Sequence, residues 1–367
     1  MDPNPKPAIS GDDNNKAVLE HRSFARIGFL GNPSDVYFGR TISFTIGNFW
    51  ASAKLEPSDH LLIKPHPFHD LVRFDSLDNL VYRLKNEGYY GGVRLIMAMC
   101  KVFRNYCKDN VILLHERNFT LSYDTNIPRQ MGLSGSSAIV SAALSCLLDF
   151  YNVRHLIRKE VLPNLILNAE GKLGIVAGLQ DRVAQVYGGG LVHMDFSKDH
   201  MDRVGYGIYT VMDISLLPPL HLIYAENPSD SGKVHSTVRR KWLDGDEFII
   251  SSMAEIAKLA EEGRTALLKK DYAKIKELMN RNFDLRRSIF GDECLGAMNI
   301  KMVEVARKIG AAAKFTGSGG AVVAFCPDGA SQVKLLEEEC SKAGFIVEPV
   351  KLVPSCLDNS DDLKTLS

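Results

Sequence analysis

Three stretches of the chain set glycine beside hydroxyl and charged side chains. They are Ala25–Arg40 (ARIGFLGNPSDVYFGR), Pro128–Ala138 (PRQMGLSGSSA) and Lys314–Phe325 (KFTGSGGAVVAF). The middle stretch runs straight into an apolar segment that ends at Phe150. A helix starting there presents unpaired N–H groups and the positive end of its dipole. Gly132 and Gly135 let an anion approach the backbone, and Ser134, Ser136 and Ser137 add hydroxyls. This is chemistry suited to holding phosphate. An N-capped core helix would use the same residues. Neither G-x-x-x-x-G-K-[ST] nor G-x-G-x-x-G is present, so this stretch alone leaves both readings open.

The elements around these stretches must position them. Arg22–Asn32 reads as a strand ending in a Gly-Asn turn, and Arg40–Pro57 as a hairpin or paired strands around Gly47-Asn48. HLLIKP and NFTLSYD alternate like strands. The spacing of Ile96, Met99, Cys100 and Phe103 predicts a helix. Gly188–Phe196 reads as a further strand, and the polar run Ser197–Tyr206 marks a domain boundary. The second half opens with two strand-like runs, GIYTVMDI and HLIYAE. Long helical segments follow over Phe248–Lys269 and Tyr272–Phe290. Gly310–Pro327 reads as strand, glycine loop, strand, followed by a helix and a last strand, FIVEPVKL. Strands alternate with helices in both halves without internal repeats. That predicts an α+β fold with two domains and mixed sheets. The expected division is a tail over 1–20, an N-terminal domain over 21–205, a C-terminal domain over 206–357 and a tail over 358–367.

Composition narrows the function classes. The chain has 367 residues, 45% hydrophobic and 24% charged, as soluble globular proteins do. Lys+Arg and Asp+Glu are both 44, so net charge points to neither nucleic acid nor an anionic membrane. Seven cysteines without close pairs read as reduced thiols in a cytoplasmic protein. The N-terminal residues resemble neither a secretory signal nor an organelle presequence, and no apolar run approaches membrane-spanning length. His66 and His69 in KPHPFHD have no cysteine or third ligand at metal spacing and read as a surface loop. Arg239-Arg240-Lys241 reads as a solvated face.

Together and in this order, the three glycine stretches resemble the three motifs of the GHMP kinases, the superfamily of galactokinase, homoserine kinase and mevalonate kinase. The segment GLQDRVAQVYGG (Gly178–Gly189) is similar to the one that carries the catalytic aspartate in the sugar-kinase members. GNPSD (Gly31–Asp35) is similar to their sugar-binding turn. The wording of these stretches, with AENPSDSGKVHS, most closely resembles members acting on a sugar acid. Two departures stand out. One residue is inserted before Ser136-Ser137, and the usual Ala-Pro-Gly-Arg is shortened to Ala25-Arg26.

The resemblance implies a two-domain fold of mixed and antiparallel sheets flanked by helices, with the active site between the domains. It implies ATP and Mg²⁺ as cofactors and transfer of the γ-phosphoryl group to the anomeric hydroxyl of D-glucuronate, a product that feeds UDP-glucuronate synthesis. It implies small-molecule partners only, with no obligate protein partner. Gly132, Leu133, Ser134, Gly135, Ser136, Ser137 and Ala138 would hold the ATP phosphates, with Ser137 and Glu170 on the metal. Asp181 would be the base and Arg26 its cationic neighbour. Asn32, Asp35 and Tyr37 would meet the sugar, with Gly317, Ser318, Gly319 and Gly320 letting backbone come close. A uronate needs a cation, for which Arg40, Arg129 and Lys233 are the expected candidates. A kinase for a heptose phosphate, fucose or galacturonate, and a non-catalytic sugar sensor, are the alternatives left open.

Overall fold

The computed structural model describes residues 18–70, 72–87, 91–225 and 235–353. Two sheets organise the chain. The first has six strands: β1 (Leu19–Leu30), β2 (Arg40–Ser58), β3 (Leu62–Ile63), β4 (Asn118–Thr125), β5 (Leu191–Asp195) and β6 (Ile208–Met212). The second has four: β7 (Leu220–Tyr224), β8 (Ala312–Phe315), β9 (Ala321–Phe325) and β10 (Ile346–Pro349), in the order β10-β7-β9-β8. Among the described residues, all strand pairings except the short parallel β3–β4 pair are antiparallel. The fold is thus α+β with two sheets.

β2 is the spine of the first sheet. It pairs with β1 along its length, with β5 through Arg40–Phe44 and with β4 through Ala51–Ser58. The hairpin expected at Gly47-Asn48 does not form. The strand runs through, and three residues bulge where Phe24 faces Trp50 but Ala25 faces Ile46. Gly47 sits in this bulge, where its backbone pairs with another backbone, although a Cβ there would make only ordinary contact with Lys351 O at 3.6 Å. That backbone is the segment after β10: Gly47 N donates to Lys351 O at 2.7 Å. Asn48 Nδ2 donates to Pro349 O at 3.0 Å, and Asn48 Oδ1 accepts from Lys351 N at 2.8 Å.

A second difference concerns β6. Its residues, GIYTVMDI, read as the opening of the second half, yet Ile208–Met212 pairs with β5 in the first sheet. Alternation alone identifies a strand but not its partner.

The Gly135–Phe150 helix is apolar on nearly every side because it is buried between β1, β2 and the Gly92–Asp109 helix. Two long helices, Glu247–Leu268 and Tyr272–Phe290, connect the sheets. Asp246 and Asp271 cap them, accepting from Ile249 N at 3.1 Å and Lys274 N at 3.0 Å. The first of them packs on β2, where Gly263 leaves room for Leu30: a Cβ there would lie 2.3 Å from Leu30 Cδ1. The second turns a buried stripe inward that includes Met279, Asn282, Phe283 and Arg286. Two polar residues on that stripe reach the site.

Candidate active site

The phosphate-loop stretch and the β8–β9 loop touch backbone to backbone. A Cβ on Gly317 would lie 2.3 Å from Gly132 O, and one on Gly132, whose φ is +61°, would lie 2.3 Å from Gly319 O. These glycines therefore serve a close approach between loops as well as a turn. Arg26, on β1, ties both loops, its Nη1 donating to Gly132 O at 2.8 Å and Thr316 O at 3.1 Å.

The same guanidinium holds Asp181, near the start of the Gln180–Tyr187 helix. Arg26 Nε donates to Oδ1 at 2.6 Å, and Ser134 Oγ donates to Oδ2 at 2.5 Å. Burial would raise the Asp181 carboxyl. Arg26 and Arg182, with these hydrogen bonds, overcome that and hold it at about 2. Asp181 is thus an oriented carboxylate at neutral pH.

Glu170, at the end of the Leu162–Gly171 helix, is fully buried. Its Oε1 accepts from Ser136 Oγ at 2.6 Å and its Oε2 from Arg182 Nε at 2.7 Å. Ser136 is half-buried and borders the cleft. Ser137, in contrast, is fully buried, and its hydroxyl donates to Ser134 O at 3.1 Å. The pairing of Ser137 with Glu170 expected from sequence is therefore not what the helix presents. Ser136 meets the carboxylate, and Ser137 faces the helix start. One hydroxyl and one carboxylate oxygen are hard donors that suit Mg²⁺, which keeps several waters. The pair fits that ion.

The Gly31–Asp35 turn shares a cleft with Asp181. Asn32, Asp35, Tyr37, Gly317 and Ser318 line, with Arg26 and Asp181, a cleft of about 280 Å³. Asn282 clasps the turn, accepting from Gly31 N at 2.9 Å and donating to Asn32 O at 3.0 Å. Lys314 is buried beneath it, with Nζ donating to Gly28 O and Asn32 Oδ1, both at 2.7 Å. Burial drives the Lys314 ammonium well below its ordinary range, with Arg286 and Arg26 adding to the effect. Asp35 accepts from Gln180 N at 3.2 Å. Burial, then the charge of Asp181, pushes its carboxyl up to about 7 against the pull of that hydrogen bond, Arg182 and Arg26.

Two of the expected carboxylate ligands, Arg40 and Arg129, do not line this cleft. Arg40 binds Asp195 at 2.8 Å across the β2–β5 pair, which draws it away. Arg129 donates to His69 O at 3.0 Å and lines a different cavity. Lys233 and most of NPSDSGKVHS lie outside the described residues. Sequence reasoning missed Arg286, Arg182 and Asn282, which all reach the site from helices. Helical spacing carries the signal for two of them. Asn282 and Arg286 are four apart, in phase with Met279 and Phe283 on the apolar stripe.

A cavity of about 380 Å³ opens across the phosphate loop, lined by Leu95, Tyr123, Ile127 and Ile139 with His69 at its edge. His66 and His69 stack at 4.4 Å, and the structure brings Asp124 to them as a third group. Three of their four ring nitrogens are already engaged. His66 Nδ1 accepts from Phe68 N and His69 N, His66 Nε2 faces Asp124 at 3.2 Å, and His69 Nε2 faces Thr125 O at 3.2 Å.

Two sheets joined through glycine loops, with a carboxylate, a loop at a helix start and a sugar-sized cleft between them, define a small-molecule kinase fold. Residues 94–189 match the family model for the GHMP kinases N terminal domain, and residues 264–342 match that for GHMP kinases C terminal. Over its full length the chain is 88% identical to Probable glucuronokinase 2 of Arabidopsis thaliana, covering 100% of both. It is 79% identical to Glucuronokinase 1 of the same plant, covering 98% of this chain and 99% of that one. The chain belongs to the glucuronokinase family of the GHMP kinases. Lactococcus lactis galactokinase complexed with galactose shares the fold, with a TM-score of 0.71 at 16% identity, covering 93% of this chain and 95% of that one.

Proposed function

We propose that the protein transfers the γ-phosphoryl group of ATP to the anomeric hydroxyl of D-glucuronate, giving D-glucuronate 1-phosphate and ADP. The observation that carries the reading is the cluster of Asp181, Arg26 and Ser134 beside a sugar-sized cleft, in a chain so close to glucuronokinases along its whole length. That closeness favours glucuronate over a heptose phosphate, fucose or galacturonate. An oriented carboxylate with two donors argues against a sensor that has lost catalysis.

The apolar cavity beside the loop suits the nucleotide base, with the phosphates over Gly132–Ala138. Ser136 and Glu170 would hold Mg²⁺. When bound, the ion neutralises charge on the transferring phosphate. Asp35, Asn32 and Tyr37 would orient the sugar, and Asp181 would orient the anomeric hydroxyl. A carboxylate held at about 2 is a weak base. It takes the hydroxyl's proton only once bonding to phosphorus has acidified that oxygen, so proton transfer follows bond formation. The anomeric hydroxyl is more acidic than an ordinary alcohol, which eases that late step. Arg26 holds Asp181 in place and ionised.

All six described cysteines are free, which supports a reducing, cytoplasmic setting. Among the described residues no helix is long and apolar enough to cross a membrane. An anomeric phosphate is the form a nucleotidyltransferase consumes, in keeping with supply to UDP-glucuronate synthesis. The test is ADP release with a panel of glucuronate, galacturonate, glucose, galactose and fucose, and ³¹P NMR of the product. Glucuronate should give the highest kcat/KM and an anomeric phosphate. A preference for a neutral sugar, or phosphate at another carbon, overturns the proposal.

A further inference from the structure

A kinase for a sugar acid must neutralise a carboxylate that a neutral sugar lacks. The cleft holds several cations, and their partners separate them. Arg26 is committed to Asp181, Gly132 O and Thr316 O. Arg182 is committed to Glu170 and Gly178 O. Lys314 is committed to three oxygens beneath the sugar turn. Arg286 also lines the cleft and is only 4% exposed, yet it makes no hydrogen bond or ion pair among the described residues. Its Nε is buried without a partner. The cleft's carboxylates are engaged elsewhere: Asp181 with Arg26 and Ser134, Asp35 with Gln180, Glu170 with Ser136 and Arg182.

A buried guanidinium with no counter-charge is costly, and natural proteins pair such groups. Here packing holds it ready. The rings of Phe290 and Phe315 lie 5.4 and 5.7 Å from its Cζ, and the helix that carries it also clasps the sugar turn through Asn282. Burial lowers the guanidinium to about 10, which still leaves it charged at neutral pH. Its fork matches a carboxylate with two parallel hydrogen bonds. Arg239 also borders the cleft, but it is exposed, and water screens it.

Resting on the sugar-acid reading above, we propose that Arg286 binds the substrate's carboxylate and so sets the preference for a uronate over a neutral hexose. Binding of the acid supplies the missing counter-charge; a neutral sugar leaves the guanidinium buried and unpaired. Sites built this way reject the analogue that lacks the group.

The experiment compares D-glucuronate with D-glucuronamide, a neutral isostere, and with glucose. It uses the full chain and the variants Arg286→Met, Arg286→Lys and Arg239→Ala. The native protein should favour glucuronate over both neutral sugars by at least about 10³ in kcat/KM. Arg286→Met should lose about 10²–10³ on glucuronate and stay within a few-fold on glucuronamide, so that the preference collapses. An unchanged KM for ATP and an unchanged rise in Tm on adding ADP show that the fold is intact. If the Met variant fails to fold, Arg286→Lys carries the test. It keeps the charge without the fork and should lose about tenfold on glucuronate alone. A folded Met or Lys variant that keeps the native preference overturns the assignment, as does Arg239→Ala abolishing the preference instead. If the native protein itself ignores glucuronate and phosphorylates a neutral sugar, the functional reading fails, a result distinct from failure of the Arg286 assignment.

Discussion

Ser136 and Glu170 face each other across the start of the Gly135–Phe150 helix, hydroxyl to carboxylate at 2.6 Å, while the neighbouring Ser137 turns back to Ser134 O. Adjacent serines thus have separate duties, and substitution tells them apart. Ser136→Ala should lower kcat by about 10²–10³ and raise the Mg²⁺ concentration needed for turnover. Ser137→Ala should leave the Mg²⁺ dependence alone and cost about 0.5–1.5 kcal/mol of stability, from one lost hydrogen bond. Turnover measured against Mg²⁺, with thermal melts, decides. A shifted metal requirement in the Ser137 variant and none in the Ser136 variant would reverse the assignment.

Asp181→Asn keeps the shape of the side chain and one acceptor, and removes the charge. Turnover should fall by about 10²–10⁴ while ATP and sugar still bind. Isothermal titration and single-turnover kinetics separate the two effects. A variant retaining more than about a tenth of native kcat would mean that positioning and phosphate stabilisation suffice without a base.

Asp35 gives the pH dependence its sign. The groups acting on it are Asp181, Arg182, Arg26 and the Gln180 N–H, and its carboxyl sits at about 7. Only the ionised form accepts freely from sugar hydroxyls, so kcat/KM for the sugar should rise with pH through about 7. Asp181, held at about 2, cannot produce that limb. Stability runs the other way. The folded protein keeps this proton where the unfolded chain has lost it, so Asp35 draws stability down as pH climbs from about 4 toward 7. Asp35→Asn should therefore be less active, lack the limb near 7, and melt higher than native protein at pH 8, with the difference in Tm shrinking below pH 5. An acid limb that survives the substitution assigns it to another group.

Gly317 has no room for a side chain, since a Cβ there would meet Gly132 O at 2.3 Å. Gly317→Ala must push the two loops apart and should cost both stability and turnover. Overpacking of this kind typically costs about 1–3 kcal/mol. Gly171→Ala is the control, because nothing lies within 4 Å of its Cβ position, and it should behave like the native protein. Equal behaviour of the two variants in melts and ADP release would show the loop contact to be slack.

Much of this arrangement was legible in the chain, and the gaps share a cause. Glycine and serine at the loops stand out because few folded roles need them so densely, and strands flanked by such turns announce themselves. Pairing is another matter. β6 alternates equally well whichever sheet takes it, and the Gly47-Asn48 pair marks a bulge as readily as a hairpin. Arg286 was hidden by its neighbour. Arg287 is a surface arginine bonded to Asp292 at 2.6 and 2.7 Å, and the doublet itself does not tell the two arginines apart. Only the phase of Arg286 with Met279, Asn282 and Phe283 separates the two. The expected domain limits follow a polar run, whereas the first sheet continues to Met212.

The bulge in β2 also ties the fold to the order of synthesis. Asn48 finds its partners in Glu348 and Pro349, 300 and 301 residues later, and Phe49 packs its ring on Tyr224 at 6.1 Å. At about 5–20 residues per second, a ribosome takes roughly 15–60 s to deliver those partners. Throughout that interval the kink in β2 stays uncapped, and for the earlier part of it, until Tyr224 is made, Phe49 is bare as well. The emerging chain is then most open to chaperones and most exposed to sticking to its neighbours, and a pause in translation anywhere between the two ends of this tie prolongs the exposure.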